Sequence, residues 1–242
     1  MFLRSGEADL AVCGAGESAF TPAIVNGFAT MKALLGRKPG DRSEDDPAQA
    51  SRPFSLDRGG FVLAEGAGAL VLATESAARS LGLSPQAELV GWATNSDGHH
   101  MAIPSGDRIK HCLAAALAHA QVKADMIGYY NAHGTSTVLN DRVETQVIKD
   151  VFGDCARRLP ISSIKGALGH SLGAASAIEA AVAVRALCEQ VIPPTINFRR
   201  DPELDLDYVP NEARSRRIDH VLSASFGFGG TNNALIFRRM AS

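Results

Sequence analysis

Short apolar runs that stop at glycine alternate along this chain with longer segments whose apolar residues recur every three to four positions. ADLAVCGAG (8–16) reads as a short buried strand, and residues 22–36 as a helix. GGFVLAEGAGALVLATES (59–76) predicts two apolar strands broken by a glycine turn, and AELVGWATNSD (87–97) predicts another strand. RIKHCLAAALAHA (108–120) and NDRVETQVIKDVF (140–152) carry helical spacing. ASAIEAAVAVRAL (175–187) does too, but it is apolar almost all round, which predicts a helix in the centre of a domain. MIGYYNAHG (126–134) predicts a strand running into a glycine turn, and HVLSASFGFGGTNNALIFRR (220–239) two strands around one. Residues 37–58, rich in Pro, Asp and Ser, predict a surface loop. Strands and helices in alternation predict a layered α/β architecture.

Composition narrows the function. The 242 residues, 45% hydrophobic, are enough for a sizeable core. The 24 basic and 26 acidic residues are dispersed, so the footprint of a nucleic-acid binder is missing. Cys13, Cys112, Cys155 and Cys188 lie far apart, against a cysteine-based zinc site and against a disulfide framework, and a cytoplasmic protein is the default expectation. The N-terminal residues do not read as a signal peptide, and the alanine-rich segment 172–188 carries Glu179 and Arg185, so no membrane association is expected.

Seven histidines are present. His99, His100, His111, His119 and His220 fit solvated or packed positions. His133 in AHG and His170 in LGHSLGAA differ, because each follows an apolar or small-residue run beside a glycine. Such a glycine admits close approach of a ligand or another backbone, and strand-end loops are where function concentrates. An ordinary turn would look the same. Lys165, five residues before His170, either snorkels to water or pairs with a buried acid. Glu144 and Glu179 are the candidates. Glu179 sits among small apolar side chains and would need a cation or several donors if buried. FGFGGTNNA (226–234) leads into a strand, not a helix, so it is no dinucleotide fingerprint.

Taken together, NAHGTST (131–137), SSIKGALGHSLGAASAIEA (162–180), PPTINF (193–198) and SFGFGGTN (225–232) resemble the β-ketoacyl–acyl carrier protein synthases, most closely the chain-elongating bacterial type II members. ASRPFSLDRGGFVLAEGAGALVL (50–72) and VPNEAR (209–214) support the resemblance, which runs through the whole chain in the family's order. It implies a thiolase-like α/β/α/β/α fold, with residues 1–85 closing an N-terminal half and 86–242 forming a complete C-terminal half. It implies that His133 and His170 assist decarboxylation of malonyl-carrier protein and stabilise the enolate oxygen. Lys165 corresponds to the family's lysine, and Glu144 to the acid expected to pair with it. Thr135 and Thr137 would hydrogen-bond a phosphopantetheine arm, and Phe228 would gate the site. Asn131, Glu179 and Ser223 would hold a structural monovalent cation, Na+ or K+, with no organic cofactor. The implied partners are a phosphopantetheinylated acyl carrier protein and a second synthase subunit in a dimer.

The family's nucleophilic cysteine lies in a TAC-like motif at a helix N-terminus, where the helix dipole favours the thiolate. No TAC motif occurs here, and Cys13 reads as a buried strand thiol. The resemblance therefore implies an N-terminally incomplete fold, about the C-terminal three-fifths of a synthase, with the cysteine supplied from outside these residues. A split enzyme, a fragment, or a remnant with another task would each account for that. A non-catalytic partner of a complete synthase is the main alternative function. A thiolase using coenzyme A fits less well, since thiolases use a late second cysteine and none follows Cys188. Val138-Leu139-Asn140, where the family often has Pro and Gly, and Leu168, where it often has threonine, leave substrate preference open.

Overall fold

The computed structural model describes residues 2–36, 42 and 45–240. A short helix, α1 (Phe2–Ser5), leads into β1 (Leu10–Glu17), which pairs antiparallel with β2 (Gly66–Ala73) from Leu10↔Ala73 to Glu17↔Gly66. Between them lies α2 (Pro22–Thr30), started by Pro22 and by the Thr21 hydroxyl accepting from Ile24 N at 3.3 Å. It stops short of the predicted residue 36, because the chain turns into positive φ at Lys32. Then come α3 (Glu75–Ser80), β3 (Ala87–Ser96), α4 (Gly106–Ala120), β4 (Tyr129–Asn131) and α5 (Val138–Phe152). Next are β5 (Ile161–Ser162), α6 (Lys165–Leu168) and α7 (Ala175–Glu189). The small hairpin β6 (Val191–Ile192) and β7 (Arg214–Ser215) precedes β8 (His220–Gly227) and β9 (Thr231–Arg239).

The main sheet has the order β3-β9-β8-β4-β5. β4 runs parallel to β5 and β8, while β9 is antiparallel to both of its neighbours. The period of two in a strand sends adjacent residues to opposite faces. Tyr130, Leu222 and Ile236 pack with Ile109, Leu113 and Ile148 of α4 and α5, whereas Tyr129, Val221 and Phe237 pack with Ala183 and Leu187 of α7. The other side of α7 lies against β2. At Gly68 an added Cβ would stand 2.7 Å from Ile178 N, so only glycine lets the helix come this close. The described layers run helix, sheet, α7, β1–β2 hairpin. On the hairpin's far face Val12 is 77% and Val71 69% exposed, and among the described residues neither outer edge of the hairpin has a partner strand.

Three expectations change. The predicted strand 126–134 shrinks to Tyr129–Asn131, since Ala124–Met126 winds into a 3₁₀ turn and the chain leaves the sheet after Asn131. The predicted strand pair in 59–76 is one strand, and Phe61 and Leu63 form only single bridges, to Leu34 and His170. Part of the predicted loop 37–58 lies outside the described residues, but its stretch Ser51–Ser55 is core rather than surface. Its polarity misleads because the groups are answered internally. Phe54 stacks on Tyr208 at 4.4 Å, Phe54 N donates to Asp141 at 2.7 Å, and Arg52 Nε donates to Asp57 O at 2.8 Å. Among the described residues no helix is long and apolar enough to cross a membrane.

Candidate active site

Where β4 ends, the chain makes a tight turn through His133, Gly134 and Thr135, and side chains hold the backbone polar groups of this turn. Glu144 accepts from His133 N at 2.9 Å and from Gly134 N at 2.8 Å. Lys165 Nζ donates to His133 O at 2.5 Å, Ser163 Oγ to Gly134 O at 2.7 Å, and Thr135 N donates to Asp141 at 3.0 Å. Gly134 sits at φ +35°, and a Cβ there would lie 2.6 Å from Ser163 Cβ and 2.7 Å from the Phe54 ring. The glycine beside the histidine is thus a steric requirement of the turn.

His170 is held from the other side. Its N–H donates to Val62 O at 2.7 Å, and its carbonyl accepts from Ala64 N at 3.0 Å. The two imidazoles meet edge to face, with centroids 5.3 Å apart at 82°. Phe226 flanks His133 at 5.4 Å and Phe61 flanks His170 at 5.2 Å. Hydrogen bonding assigns the tautomers. Nδ1 of His170 accepts from Leu172 N at 3.2 Å, and Nδ1 of His133 faces the Lys165 ammonium at 3.5 Å. A lone pair is needed at each Nδ1, so the proton of each neutral ring sits on Nε2. Both rings border a cavity of about 630 Å³ whose walls include Phe28, Phe61, Thr135, Thr137, Ser225 and Phe228.

Burial first, then the Lys165 charge, hold both rings neutral. His133 is driven well below the usual histidine range, and His170 down to about 3. Folding therefore favours the neutral imidazoles, a contribution fully present above pH 6.5 and lost as pH falls toward 3. Glu144 behaves oppositely. Burial pushes it up to about 7 against the two backbone donors, so its contribution is full below pH 4.5 and is lost as pH rises through 7. Nitrogen-15 NMR of the two histidines is expected to show neutral Nε2–H rings from pH 7.5 down to about pH 5. Imidazolium signals growing in near pH 6.5 would contradict this.

The expected pairing of Lys165 with Glu144 is corrected. The ion pair is Lys165–Glu179, with side chains 2% and 1% exposed, while both Glu144 oxygens face backbone N–H groups. Glu179 lies on α7 and also accepts from Ser225 Oγ at 3.2 Å. The cation expected beside Glu179 loses its electrostatic reason, because the ammonium of Lys165 already answers that carboxylate. Asn131 and Ser223 do stand nearby. Asn131 Nδ2 donates to Glu179 O at 3.2 Å and to Ser223 Oγ at 3.1 Å, and Asn131 Oδ1 accepts from Tyr129 OH at 3.3 Å.

Thr135 and Thr137 share a hydrogen bond at 2.9 Å, and Thr137 Oγ1 also caps α5 by accepting from Asn140 N at 3.3 Å. The cap gives Thr137 a helix-stabilising duty of about 1 kcal/mol besides its place in the wall. Phe228, in the turn between β8 and β9, leans on Phe28 at 5.7 Å. Two residues were missed in the sequence. Ser163 lies within the motif SSIKGALGHSLGAASAIEA, but no role was assigned to it. Asp141 sits beside the cap of α5 and binds Thr135 N and Phe54 N. All four cysteines are free, and Cys112 is pushed up to about 11 by burial, so it is no nucleophile. Cys13, expected to be buried, is exposed on the unpartnered hairpin.

A mixed sheet backed by helices, with a second β-layer across α7, defines a thiolase-like fold, and two neutral imidazoles border one cavity in it. The sequence matches the families Beta-ketoacyl synthase, N-terminal domain over residues 1–78 and Beta-ketoacyl synthase, C-terminal domain over residues 86–199. The chain belongs to the β-ketoacyl synthase family. It is 43% identical over 240 residues to 3-oxoacyl-[acyl-carrier-protein] synthase 2 of Synechocystis sp., covering 98% of this chain and 56% of that protein. It is 45% identical to the ketoacyl synthase alpha subunit of the tetracenomycin polyketide synthase of Streptomyces glaucescens, covering 98% and 55%. The type II polyketide ketosynthase solved with its acyl-carrier protein AntF superimposes with a TM-score of 0.93 at 37% identity, over 99% of this chain and 58% of that one. A β-ketoacyl synthase from Burkholderia phymatum gives 0.92 at 38% identity, over 99% and 57%. The chain thus spans little more than half the length of these relatives.

Proposed function

We propose that this chain forms the decarboxylating half of a β-ketoacyl-[acyl carrier protein] synthase, in fatty-acid or polyketide synthesis. The observation that carries the reading is the pair of neutral Nε2–H imidazoles, His133 and His170, bordering one cavity 5.3 Å apart. The malonyl thioester enters on the carrier protein's pantetheine arm, past Thr135 and Thr137. Its terminal C–C bond breaks and carbon dioxide leaves. The electron pair stays on the thioester as an enolate, whose oxygen accepts from the two Nε2–H groups. Fixed donors aimed at developing negative charge are worth several kcal/mol in a water-poor site. The enolate carbon then attacks the acyl thioester on a cysteine supplied from outside these residues, and the cysteine thiolate departs.

Lys165 does not touch the reacting atoms. It fixes His133 O and biases the His133 tautomer, and so acts as a positioning residue. A cytoplasmic setting belongs to this reading, as does association with the chain or segment that carries the cysteine. The test is to combine this chain with a cysteine-bearing N-terminal synthase segment and assay acyl and malonyl carrier proteins for β-ketoacyl product. Product is expected only when both parts are present. No product from the combined parts would overturn the reading. The second reading is a non-catalytic partner of a complete synthase. It is favoured only if the chain stimulates a complete synthase equally well without its two histidines.

A further inference from the structure

Tyr130 is among the largest fully buried side chains. It lies in the middle of β4, bonded into the sheet opposite Ile161 of β5 and Leu222 of β8. Its ring packs edge-on against Phe152 of α5, with centroids 6.0 Å apart at 89°. That packing needs a ring but no hydroxyl. A buried hydroxyl costs stability unless it is hydrogen-bonded, and this one donates to Glu144 Oε1 at 3.2 Å. The same oxygen accepts from His133 N at 2.9 Å. The other, Oε2, accepts from Gly134 N at 2.8 Å and from Asn140 Nδ2 at 3.4 Å. Asn140 Nδ2 is fixed as a donor by its second bond, to Asp141 Oδ1 at 3.2 Å. An ionised carboxylate offers about four lone-pair sites, and donors converge on both oxygens of this one.

We infer that Tyr130 is a positioning residue: its hydroxyl pins the Glu144 oxygen that holds His133 N, and so keeps the His133 ring aimed at the enolate oxygen. The inference rests on the proposed function and adds a residue to it. The backbone donors of His133 and Gly134 belong to the turn and move with it, and Asn140 makes the longest of these bonds. Tyr130 stands on the sheet and anchors the carboxylate from outside the turn. Burial, then the charge of Glu144, raises the phenol well above its usual range, so it stays protonated near neutral pH. Around the carboxylate, Lys165 favours its ionised form and Asp141 opposes it. The other titratable neighbours are the His133 ring, Tyr208 and, behind Tyr130, Cys112. Burial sets Glu144 at about 7, so the turn meets both of its forms near neutrality. A protonated Glu144 has to donate in its turn, and of these partners the hydroxyl is the one that can accept. Its bond to the charged form is nevertheless the stronger. Removing the hydroxyl therefore disfavours the ionised form and moves Glu144 upward.

The test is Tyr130→Phe in the combined synthase, with carbon dioxide release from malonyl-carrier protein followed from about pH 6 to about pH 9. Phenylalanine keeps the contact with Phe152, so the fold should survive. In the unmodified assembly the rate is expected to rise with pH through about 7, as Glu144 ionises. In Y130F that limb should move up by about one pH unit, the scale separating a charged from a neutral hydrogen bond. The variant is then about tenfold slower near pH 6 and within about twofold near pH 9. Glu144→Gln cannot titrate and should give a flat, slow profile. A second readout needs no turnover. The Glu144 carboxyl carbon, the amide protons of His133 and Gly134, and the Tyr130 hydroxyl proton should titrate together by NMR, and the first three should shift upward together in Y130F. A loss equal at every pH would make Tyr130 a packing residue alone and overturn the inference. A limb that stays in place in Y130F, or survives in E144Q, would do the same. So would a Tyr130 hydroxyl proton in the unmodified protein that ignores the Glu144 titration, whether or not the variant folds. If the unmodified assembly releases no carbon dioxide, the proposed function itself falls, and the NMR titration still decides whether Tyr130 governs the His133 turn.

Discussion

Replacing His133 and His170 together by alanine in the combined synthase is expected to slow decarboxylation of malonyl-carrier protein by about 10⁴-fold. Loss of one preorganised donor to a developing oxyanion typically costs about 10²–10³-fold. The two rings border one cavity, so they should share one oxygen and the effects should not multiply fully. Single alanine variants should each lose more than half of the logarithmic effect. The KM for malonyl-carrier protein should move little, because the donors act on charge that develops only in the transition state. Release of carbon dioxide measures this directly. Turnover in the double variant within about tenfold of the unmodified protein would remove both histidines from the chemistry.

The second large effect concerns Lys165 and Glu179. Glu179→Gln should destabilise the protein by about 3–5 kcal/mol, because it strands an ammonium among apolar and backbone groups. Side-chain exposures of 2% and 1% leave little solvent to screen the pair, so no surface discount applies. The double change K165M/E179L removes both charges and should recover much of that loss. Urea unfolding of the three proteins reads the difference through their midpoints. A Glu179→Gln loss below about 1 kcal/mol would mean that water reaches the pair. Activity should not recover along with stability, since Lys165 also holds His133 O.

Much of this site was legible in the sequence, for reasons particular to each residue. His133 and His170 stood out because each adjoins a glycine, and Gly134 has such a neighbour for a steric reason. The β8–β9 hairpin was readable from alternating apolar residues around glycines. The partner of Lys165 was harder. Glu144 and Glu179 are both acids at plausible distance along the chain, and only the path of α7 brings Glu179 to the ammonium. The misfit of a carboxylate among alanines was the signal that pointed to it. Glu144 was misread because its two shortest hydrogen bonds come from backbone N–H groups, which leave no trace in residue identity. Ser51–Ser55 looked like surface because its polar groups are satisfied within the fold, a property that hydropathy does not register.

The strand order of the main sheet also has a consequence for how the chain is made. β9 is the last of the described strands, yet it lies inside the sheet, between β3 and β8. As the polypeptide leaves the ribosome, β3 must wait for its neighbour until the stretch from Ser96 to Thr231 has been synthesised. At about 5–20 residues per second, that wait is on the order of ten seconds. During it Trp92 and the apolar residues of β4 have no completed sheet to join. The β3 edge of this sheet is therefore completed only after β9 has been made, and until then its apolar face needs shielding.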